Sequence, residues 1–348
     1  MVRAEPPGSR MVMDDPQPPR PGPPGADGNP VTVLLPVFND WAALDRLLAA
    51  LDGHLAAAGL AARILIVDDG STQRRGDGQL GGPYAAVRAV EVLHLRRNLG
   101  HQRAIAVGLA CLEAERADCR LVVVMDSDGE DDPADVPRLI ERARASPDEA
   151  MVFAERTKRS ESTLFRACYH LYRLAHRVLT GRPVRVGNFS AIPRRRLESL
   201  VATSELWNHY AAAAITSRQP FVTIPTARAR RLDGRSKMNF VGLVIHGLSA
   251  ISVYSDVIGV RLLISTLGMI AATLLGLAGT VAVRLTTDLA IPGWATTAFG
   301  VLLIILLQAT LFLIVFSCMI LAGRNSAAFL PSRDYGHFVG SREEICRR

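Results

Sequence analysis

A cluster of carboxylates follows a short apolar run in the middle of the chain. The run Leu121–Met125 is mostly β-branched, which predicts a strand buried on both faces. Asp126 and Asp128 come directly after it, and Glu130 follows. Carboxylate oxygens at this density suit Mg²⁺ or Mn²⁺, ions that commonly bridge to substrate phosphates. The sequence therefore predicts a metal site on Asp126, Asp128 and Glu130.

A purely structural role is the alternative for this loop. Asp132 precedes Pro133, and such a pair is typical of a helix start, with the acid as N-cap and the proline in the first turn. A solvated acidic loop that caps the next helix would need no metal. We expect the cap at Asp132 and the metal site at Asp126 and Asp128, because the strand before these two residues is buried.

The strands that must position the carboxylates alternate with helical patterns. Strands are predicted at Val31–Leu35, Arg63–Val67 and Val87–Leu95 before the central one, and at Met151–Ala154 and Phe221–Pro225 after it. This alternation predicts a doubly wound α/β sheet with helices on both faces, whose ligands bind beyond the carboxyl ends of the strands. No G-x-G-x-x-G or Walker A sequence follows the first strand, which argues against a dinucleotide enzyme or a P-loop ATPase.

Basic residues cluster after two of the predicted strands. The segment 155–161 after the fifth strand is either a solvated loop or an anion site, and the end of the sixth strand leads into a second basic segment, 228–237. Basic residues are not interleaved with aromatic ones as in single-strand binders, so the net charge of +7 favours an anionic membrane over nucleic acid. The five cysteines lack metal-ligand spacing and are expected to be reduced thiols.

The C-terminal part of the chain holds the hydrophobic excess. Leu262–Val283 carries no charge and would form a helix of about 33 Å, enough to cross a bilayer. Arginines follow the second apolar stretch in larger number than they occur between the two, so the positive-inside rule places both termini in the cytoplasm. The predicted regions are a Pro-rich disordered tail without the apolar core of a signal peptide (1–30), a cytosolic domain (31–237), an interfacial helix (238–257), two transmembrane helices (258–323) and a cytoplasmic tail (324–348).

Seven segments together carry a family resemblance. They are Pro36–Asp40, Val67–Ser71, Asn98–Gln102, Asp126–Asp128, Glu130–Pro133, Arg156–Arg159 and Arg231–Lys237. In this combination they resemble an inverting family-2 glycosyltransferase of the GT-A fold. They resemble more closely the polyprenyl-phosphate glycosyltransferases, such as dolichyl-phosphate mannose synthases and bacterial undecaprenyl-phosphate sugar transferases. The resemblance covers about residues 31 to 240 and the two-helix anchor that some members carry.

The resemblance implies a GT-A mixed sheet, a Mg²⁺ or Mn²⁺ cofactor, a UDP- or GDP-linked sugar donor and a polyprenyl phosphate acceptor. Its implied catalytic residues are Asp128, Arg156 and Lys237, beside the metal ligands Asp126, Asp128 and Glu130. The implied contacts to the nucleotide are Pro36, Phe38, Asp40, Val67, Asp68, Asp69, Asp126 and Ser127. The implied contacts to the acceptor phosphate are Arg156, Arg159, Arg231, Ser236 and Lys237.

The chain departs from the family pattern at Gly187–Ser190. Many members have Gly-Asp-Phe-Arg there, whereas this chain has Asn188 and Ser190, so no general base stands at Asn188. Glu130 also replaces a usual glutamine. A polyprenyl phosphate is already an anion at neutral pH and needs no base to attack C1 of the donor sugar in line, with inversion.

Three other functions were compared with this one, and the sequence argues against the first and leaves the other two open. A processive polysaccharide synthase would carry Gln-x-x-Arg-Trp, which surrounds none of Trp41, Trp207 or Trp294, and more than two spans. A transferase acting on a sugar hydroxyl or glycolipid is the second, and a non-catalytic membrane scaffold with a decayed transferase domain is the third. The identity of the sugar and of the lipid and the formation of a homo-oligomer are also left open.

Overall fold

One sheet organises the protein, which is described here from a computed structural model. The structure describes residues 31–115, 119–156, 177–181, 186–229, 231–232, 247–287, 293–325 and 329–347. The strands of the sheet are β1 (Val31–Val37), β2 (Ala62–Asp68), β3 (Val87–Leu95), β4 (Leu121–Val124), β5 (Met151–Arg156), β6 (Ser190–Pro193), β7 (Phe221–Thr226) and β8 (Val339–Arg347). Their order is β7-β5-β6-β4-β1-β2-β3-β8, with β6 and β8 antiparallel to their neighbours. The predicted mixed sheet is confirmed.

Helices cover both faces of the sheet, as predicted. They are α1 (Trp41–Ala57), α2 (His101–Ala114), α3 (Asp135–Arg144), α4 (Arg194–Val201), α5 (Tyr210–Thr216), α6 (Ser255–Thr286), α7 (Trp294–Asn325) and α8 (Pro331–Asp334). One apolar core lies under α1 and α3, and the other lies under α2, α4 and α5. In α1, leucines at helical spacing, Leu44, Leu47, Leu48, Leu51 and Leu55, are all buried.

Two element boundaries differ from the sequence predictions. β1 continues through Pro36, because its pairing with β4 ends at Leu34 and the missing N–H costs no hydrogen bond to β4. The predicted helix start with Asp132 as N-cap and Pro133 in the first turn is wrong, since α3 begins at Asp135. The Asp132 carboxylate instead accepts a hydrogen bond from the backbone N–H of Ala134, at 2.9 Å.

The C-terminal segment is an edge strand of the same sheet, which the sequence analysis did not predict. β8 follows the two long helices and pairs antiparallel with β3. Trp207 attaches the segment to the domain, because its ring lies 4.0 Å from that of Phe329 and 5.0 Å from that of Phe338. The region predicted as a cytoplasmic tail is therefore part of the folded domain.

The two long helices are apolar along most of their length. By length and composition, α6 and residues Trp294–Leu321 of α7 could each cross a membrane. They pack against one another, and the buried residues of α6 are Thr266, Thr273 and Thr280. Small side chains at this spacing allow close helix contact.

The segment predicted as an interfacial helix is described only in part. Residues 238–246 lie outside the described part of the chain, and residues 247–252 are helical. Ala250, Val253 and Tyr254 are buried, and Val253 and Tyr254 pack in a small apolar cluster with Ala212. This end of the segment therefore contacts the globular domain.

Candidate active site

The acidic loop after β4 lies at the carboxyl end of the central strands. Its backbone is held by its own carboxylates: the N–H of Asp126 donates to Asp131, at 3.1 Å, and the N–H of Glu130 donates to Asp128, at 2.9 Å. Gly129 has a φ of 79°, the left-handed conformation that glycine adopts without strain. The turn thus directs three carboxylates, those of Asp126, Asp128 and Glu130, to the ligand-binding edge of the sheet.

A basic segment lies along this loop. Arg231 donates to Asp128 at 2.5 Å, and its Nε lies 3.7 Å from Glu130. Arg228 also forms an ion pair with Glu130. Backbone bonds fix the alignment, because Leu232 donates to the carbonyl of Asp128, at 3.0 Å. The structure therefore brings Arg231, predicted for the acceptor phosphate, to the predicted metal ligands.

The electrostatics of the loop favour a cation beside Asp128. Burial raises the pKa of this carboxyl above its ordinary value, and the negative charge of Asp126 acts in the same direction. The hydrogen bond from Glu130 and the charge of Arg231 oppose the shift. Positive charge stabilises the ionised form of a partly buried carboxylate that has an acidic neighbour.

The donor atoms of the loop fit a hard divalent ion. Within the described residues, no three acidic, His or Cys side chains converge as a complete metal site. Asp128 and Glu130 nevertheless both approach the guanidinium of Arg231, so a cationic group already lies between two carboxylates. Mg²⁺ is often held by one or two carboxylates together with substrate phosphates, without a full protein cage. The set of Asp126, Asp128 and Glu130 stays a prediction.

Three polar residues that received no role from sequence reasoning lie beside Asp126. His101 Nε2 is 3.0 Å from the Asp126 carboxylate, and Asn188 Nδ2 is 3.1 Å from the same His101 nitrogen. Gln102 donates to Asn188, at 3.1 Å, and accepts from the N–H of Tyr210, at 2.8 Å. The signal that could have found His101 and Gln102 is their place in the first turn of α2, which a short loop separates from the carboxyl end of β3.

The pKa of His101 is raised above its ordinary value. Desolvation lowers the pKa, but the charge and hydrogen bond of Asp126 and the charges of Asp128 and Asp131 together outweigh it. The imidazolium form is therefore favoured beside the acidic loop.

The acids after β2 brace the loops around them. Asp69 accepts from the backbone N–H groups of Leu99, at 2.6 Å, and Gly100, at 2.9 Å, and burial raises its pKa. Asp68 accepts from the N–H of Ser71, at 2.9 Å. Both predicted nucleotide contacts thus lie at the ligand edge and also hold backbone.

The remaining predicted site residues have varied positions. Pro36 and Val67 lie within buried strands, Ser127 is buried in the acidic loop, and Phe38 is exposed. Asp40 is the N-cap residue of α1. Arg156 is the last residue of β5. Arg159, Ser236 and Lys237 lie outside the described residues.

Replacing Gly70 with alanine is expected to lower the free energy of unfolding by about 2–4 kcal/mol. Gly70 has a φ of 69°, and a Cβ there would lie 2.7 Å from the backbone nitrogen of Asn98. Gly78 is the matched control, with a φ of 79° and nothing within 4 Å of its Cβ position. Gly78→Ala should cost about 1–2 kcal/mol from backbone strain alone. Denaturant unfolding of both variants measures the difference, and equal losses would contradict a rigid contact at Gly70.

Comparisons with known proteins agree with the sequence motifs. The family model described as Glycosyl transferase family 2 matches residues 32–221. The undecaprenyl-phosphate 4-deoxy-4-formamido-L-arabinose transferase of Pseudomonas aeruginosa (strain LESB58) is 31% identical over 218 residues, covering 62% of this chain and 62% of that protein. The protein of the same description from Klebsiella pneumoniae (strain 342) is 29% identical over 220 residues, covering 62% and 64%. The chain therefore matches less than two thirds of the length of these relatives.

A solved structure that aligns with this chain is glucosyl-3-phosphoglycerate synthase from Mycobacterium tuberculosis, in complex with Mn²⁺, uridine diphosphate and phosphoglyceric acid. The alignment has a TM-score of 0.48 and 17% sequence identity, and it covers 67% of this chain and 79% of that one.

Proposed function

Because the chain belongs to glycosyl transferase family 2, as the match over more than half of its length shows, we propose that it transfers a sugar from a nucleotide sugar to a polyprenyl phosphate. The family assignment confirms the resemblance drawn from the motifs. The observation that carries the proposal is the contact of Arg231 with Asp128 and Glu130 at the carboxyl edge of the sheet. Carboxylates and guanidinium groups at one place suit a substrate whose phosphates bind both a metal ion and arginine.

The proposed chemistry needs positioning and charge stabilisation more than proton transfer. Asp126, Asp128 and Glu130 would hold Mg²⁺ or Mn²⁺, which neutralises a leaving diphosphate as a Lewis acid when bound. Arg231 would orient a phosphate oxygen beside these carboxylates. The Asn188 amide cannot accept a proton at neutral pH, and a phosphate acceptor needs no base there. Attack in line inverts C1 of the sugar.

Transfer to a sugar hydroxyl is the second candidate, because His101 offers an imidazole close to Asn188. A hydroxyl acceptor must lose its proton as it attacks. A polyprenyl phosphate is already an anion at neutral pH and needs no such base. This favours the lipid phosphate.

A membrane location is supported by the two apolar helices and by the similarity to undecaprenyl-phosphate sugar transferases, whose acceptor is a lipid. We place both helices across the cytoplasmic membrane, with the catalytic domain and both termini in the cytoplasm. The arginine distribution supports this orientation. The pairing of β8 with β3 supports it as well, because a strand after the hairpin can join the domain only from the same side of the membrane.

A reporter inserted at position 288 is expected outside the cell and one at the C-terminus inside. The loop between the two spans carries less positive charge than the segment after them, and β8 must reach the domain that begins at β1. Labelling by an impermeant reagent measures this in two variants, one that keeps Cys346 as its single cysteine and one that carries a single introduced cysteine at position 288. Labelling of position 346 but not of position 288 from the outside would contradict the topology.

Metal-dependent turnover of a nucleotide sugar by the purified full chain tests the proposed enzyme class. We expect release of nucleoside diphosphate that requires Mg²⁺ or Mn²⁺ and polyprenyl phosphate together, and that stops with a chelator. Absence of turnover across UDP- and GDP-linked sugars would favour the non-catalytic scaffold.

A further inference from the structure

The C-terminal strand carries a carboxylate that reaches toward the loop after β2. Glu343 lies on β8 opposite Val92 of β3. One of its oxygens accepts from Arg75 Nη2, at 2.9 Å, and the other lies 3.4 Å from His94 Nε2. Arg75 belongs to the segment between β2 and β3, so Glu343 joins the C-terminal strand to that segment and to β3.

His94 extends this contact to the end of β2. Its Nδ1 lies 2.9 Å from one carboxylate oxygen of Asp68, while the other oxygen accepts from the backbone N–H of Ser71. The imidazole thus has a carboxylate at each ring nitrogen, which fixes its orientation. Asp68 is buried, and Glu343 is nearly half exposed. A continuous series of polar contacts runs from Glu343 through His94 and Asp68 to Ser71.

Ser71 lies at the ligand edge of the sheet. Its hydroxyl accepts from the N–H of Asn39, at 2.9 Å, and Asn39 in turn accepts from the N–H of Gln73, at 2.8 Å. The loops after β1 and β2 are therefore held together at the carboxyl ends of two adjacent parallel strands, where α/β folds bind ligands. A change in the position of Asp68 would be transmitted to both loops.

We infer that Glu343 is a positioning residue for the nucleotide of the donor, acting through His94 and Asp68 on the loop after β2. The inference rests on the proposed function and on the nucleotide contact expected at Asp68, which lies at the carboxyl end of β2, where α/β folds bind ligands. Glu343 follows both long helices in the chain, so the donor site is completed by a strand that enters the sheet after the helical hairpin. A residue that holds a binding-site group in place can affect affinity without touching the ligand.

Glu343→Gln in the full chain tests this role, with UDP and GDP titrated separately in the presence of Mg²⁺. We expect the affinity for the nucleotide that binds the wild type to fall about threefold to tenfold, and the donor KM to rise by the same factor. The kcat is expected to stay within about twofold, because Glu343 does not contact the reacting groups.

Glu344→Gln is the matched control. Glu344 is adjacent on β8, so its side chain points to the opposite face, and its carboxylate lies 3.6 Å from Arg347. Partly exposed ion pairs contribute little to stability, so both variants should unfold at the wild-type temperature. Nucleotide affinity should change less than about twofold in Glu344→Gln, since no contact leads from this residue to Asp68 in the described part of the chain.

His94→Asn separates the series of contacts from a general effect on the strand. Asparagine can still donate to Asp68 but is too short to reach Glu343. If Glu343 and His94 act in series, a variant that combines Glu343→Gln with His94→Asn should bind nucleotide no more weakly than whichever single variant has the lower affinity.

Three results would overturn the inference. They are equal losses of affinity in Glu343→Gln and Glu344→Gln, additive losses in the double variant, and a Glu343→Gln defect that appears in kcat alone. A wild-type chain that binds neither UDP nor GDP would overturn the donor proposed for the enzyme itself, which distinguishes that failure from a failure of the Glu343 assignment.

Discussion

Asp128→Ala is expected to lower the kcat of sugar transfer at least about a hundredfold, while the protein stays folded and in the membrane. Asp128 forms an ion pair with Arg231, and its partly buried carboxylate favours a cation beside it. Without it, the proposed metal ion would lose a ligand and Arg231 would lose a carboxylate partner. Initial rates of transfer at saturating donor and metal measure the effect.

Asp132→Ala is the control from the same loop. Its carboxylate caps a backbone N–H before α3, so the variant should lose about 1 kcal/mol of stability and keep its activity. Wild-type turnover in Asp128→Ala, or equal losses in both variants, would contradict the assignment of Asp128.

Lys237→Ala is expected to raise the KM for polyprenyl phosphate about tenfold or more and to leave donor affinity within about twofold. The family resemblance implies that Lys237, which precedes the long helices in the sequence, contacts the acceptor phosphate. Loss of a charged contact to a phosphate lowers the affinity for that substrate. Arg284→Ala is the control, because the proposed topology puts Arg284 at the opposite membrane surface. Kinetics with each substrate varied in turn separate the two effects. A defect confined to the donor would contradict the role of Lys237.

Local sequence patterns were sufficient for most of the sheet. The apolar run before Asp126 and the leucine spacing of α1 predicted elements that the structure contains, because burial and periodicity are local properties. The strand β6 was missed, since its residues Ser190–Pro193 are too few to show an alternating pattern.

The edge strand β8 could not be predicted from local pattern. Most of its residues are exposed, four of the nine are charged, and its partner β3 lies more than two hundred residues earlier. What joins them includes the ion pairs of Arg342 with Glu91 and with Glu115, contacts that no local pattern encodes.

The site was predicted as residue types rather than as contacts. The acids after β4 were recognisable from their position, and Arg231 was assigned to a phosphate. The structure adds that Arg231 pairs with Asp128 across 103 positions of sequence and that His101 lies against Asp126. Both contacts depend on how loops from separate strands meet at the sheet edge, which spacing along the chain does not specify.

Parallel transfer assays test directly whether the acceptor is a polyprenyl phosphate. A labelled nucleotide sugar is supplied to the purified full chain with Mg²⁺ and either polyprenyl phosphate or free saccharides. We expect labelled polyprenyl phosphate sugar and no labelled saccharide. No base for a hydroxyl acceptor stands at Asn188, and the basic residues before the helices suit a lipid phosphate. Transfer to the saccharides alone would contradict a polyprenyl phosphate acceptor.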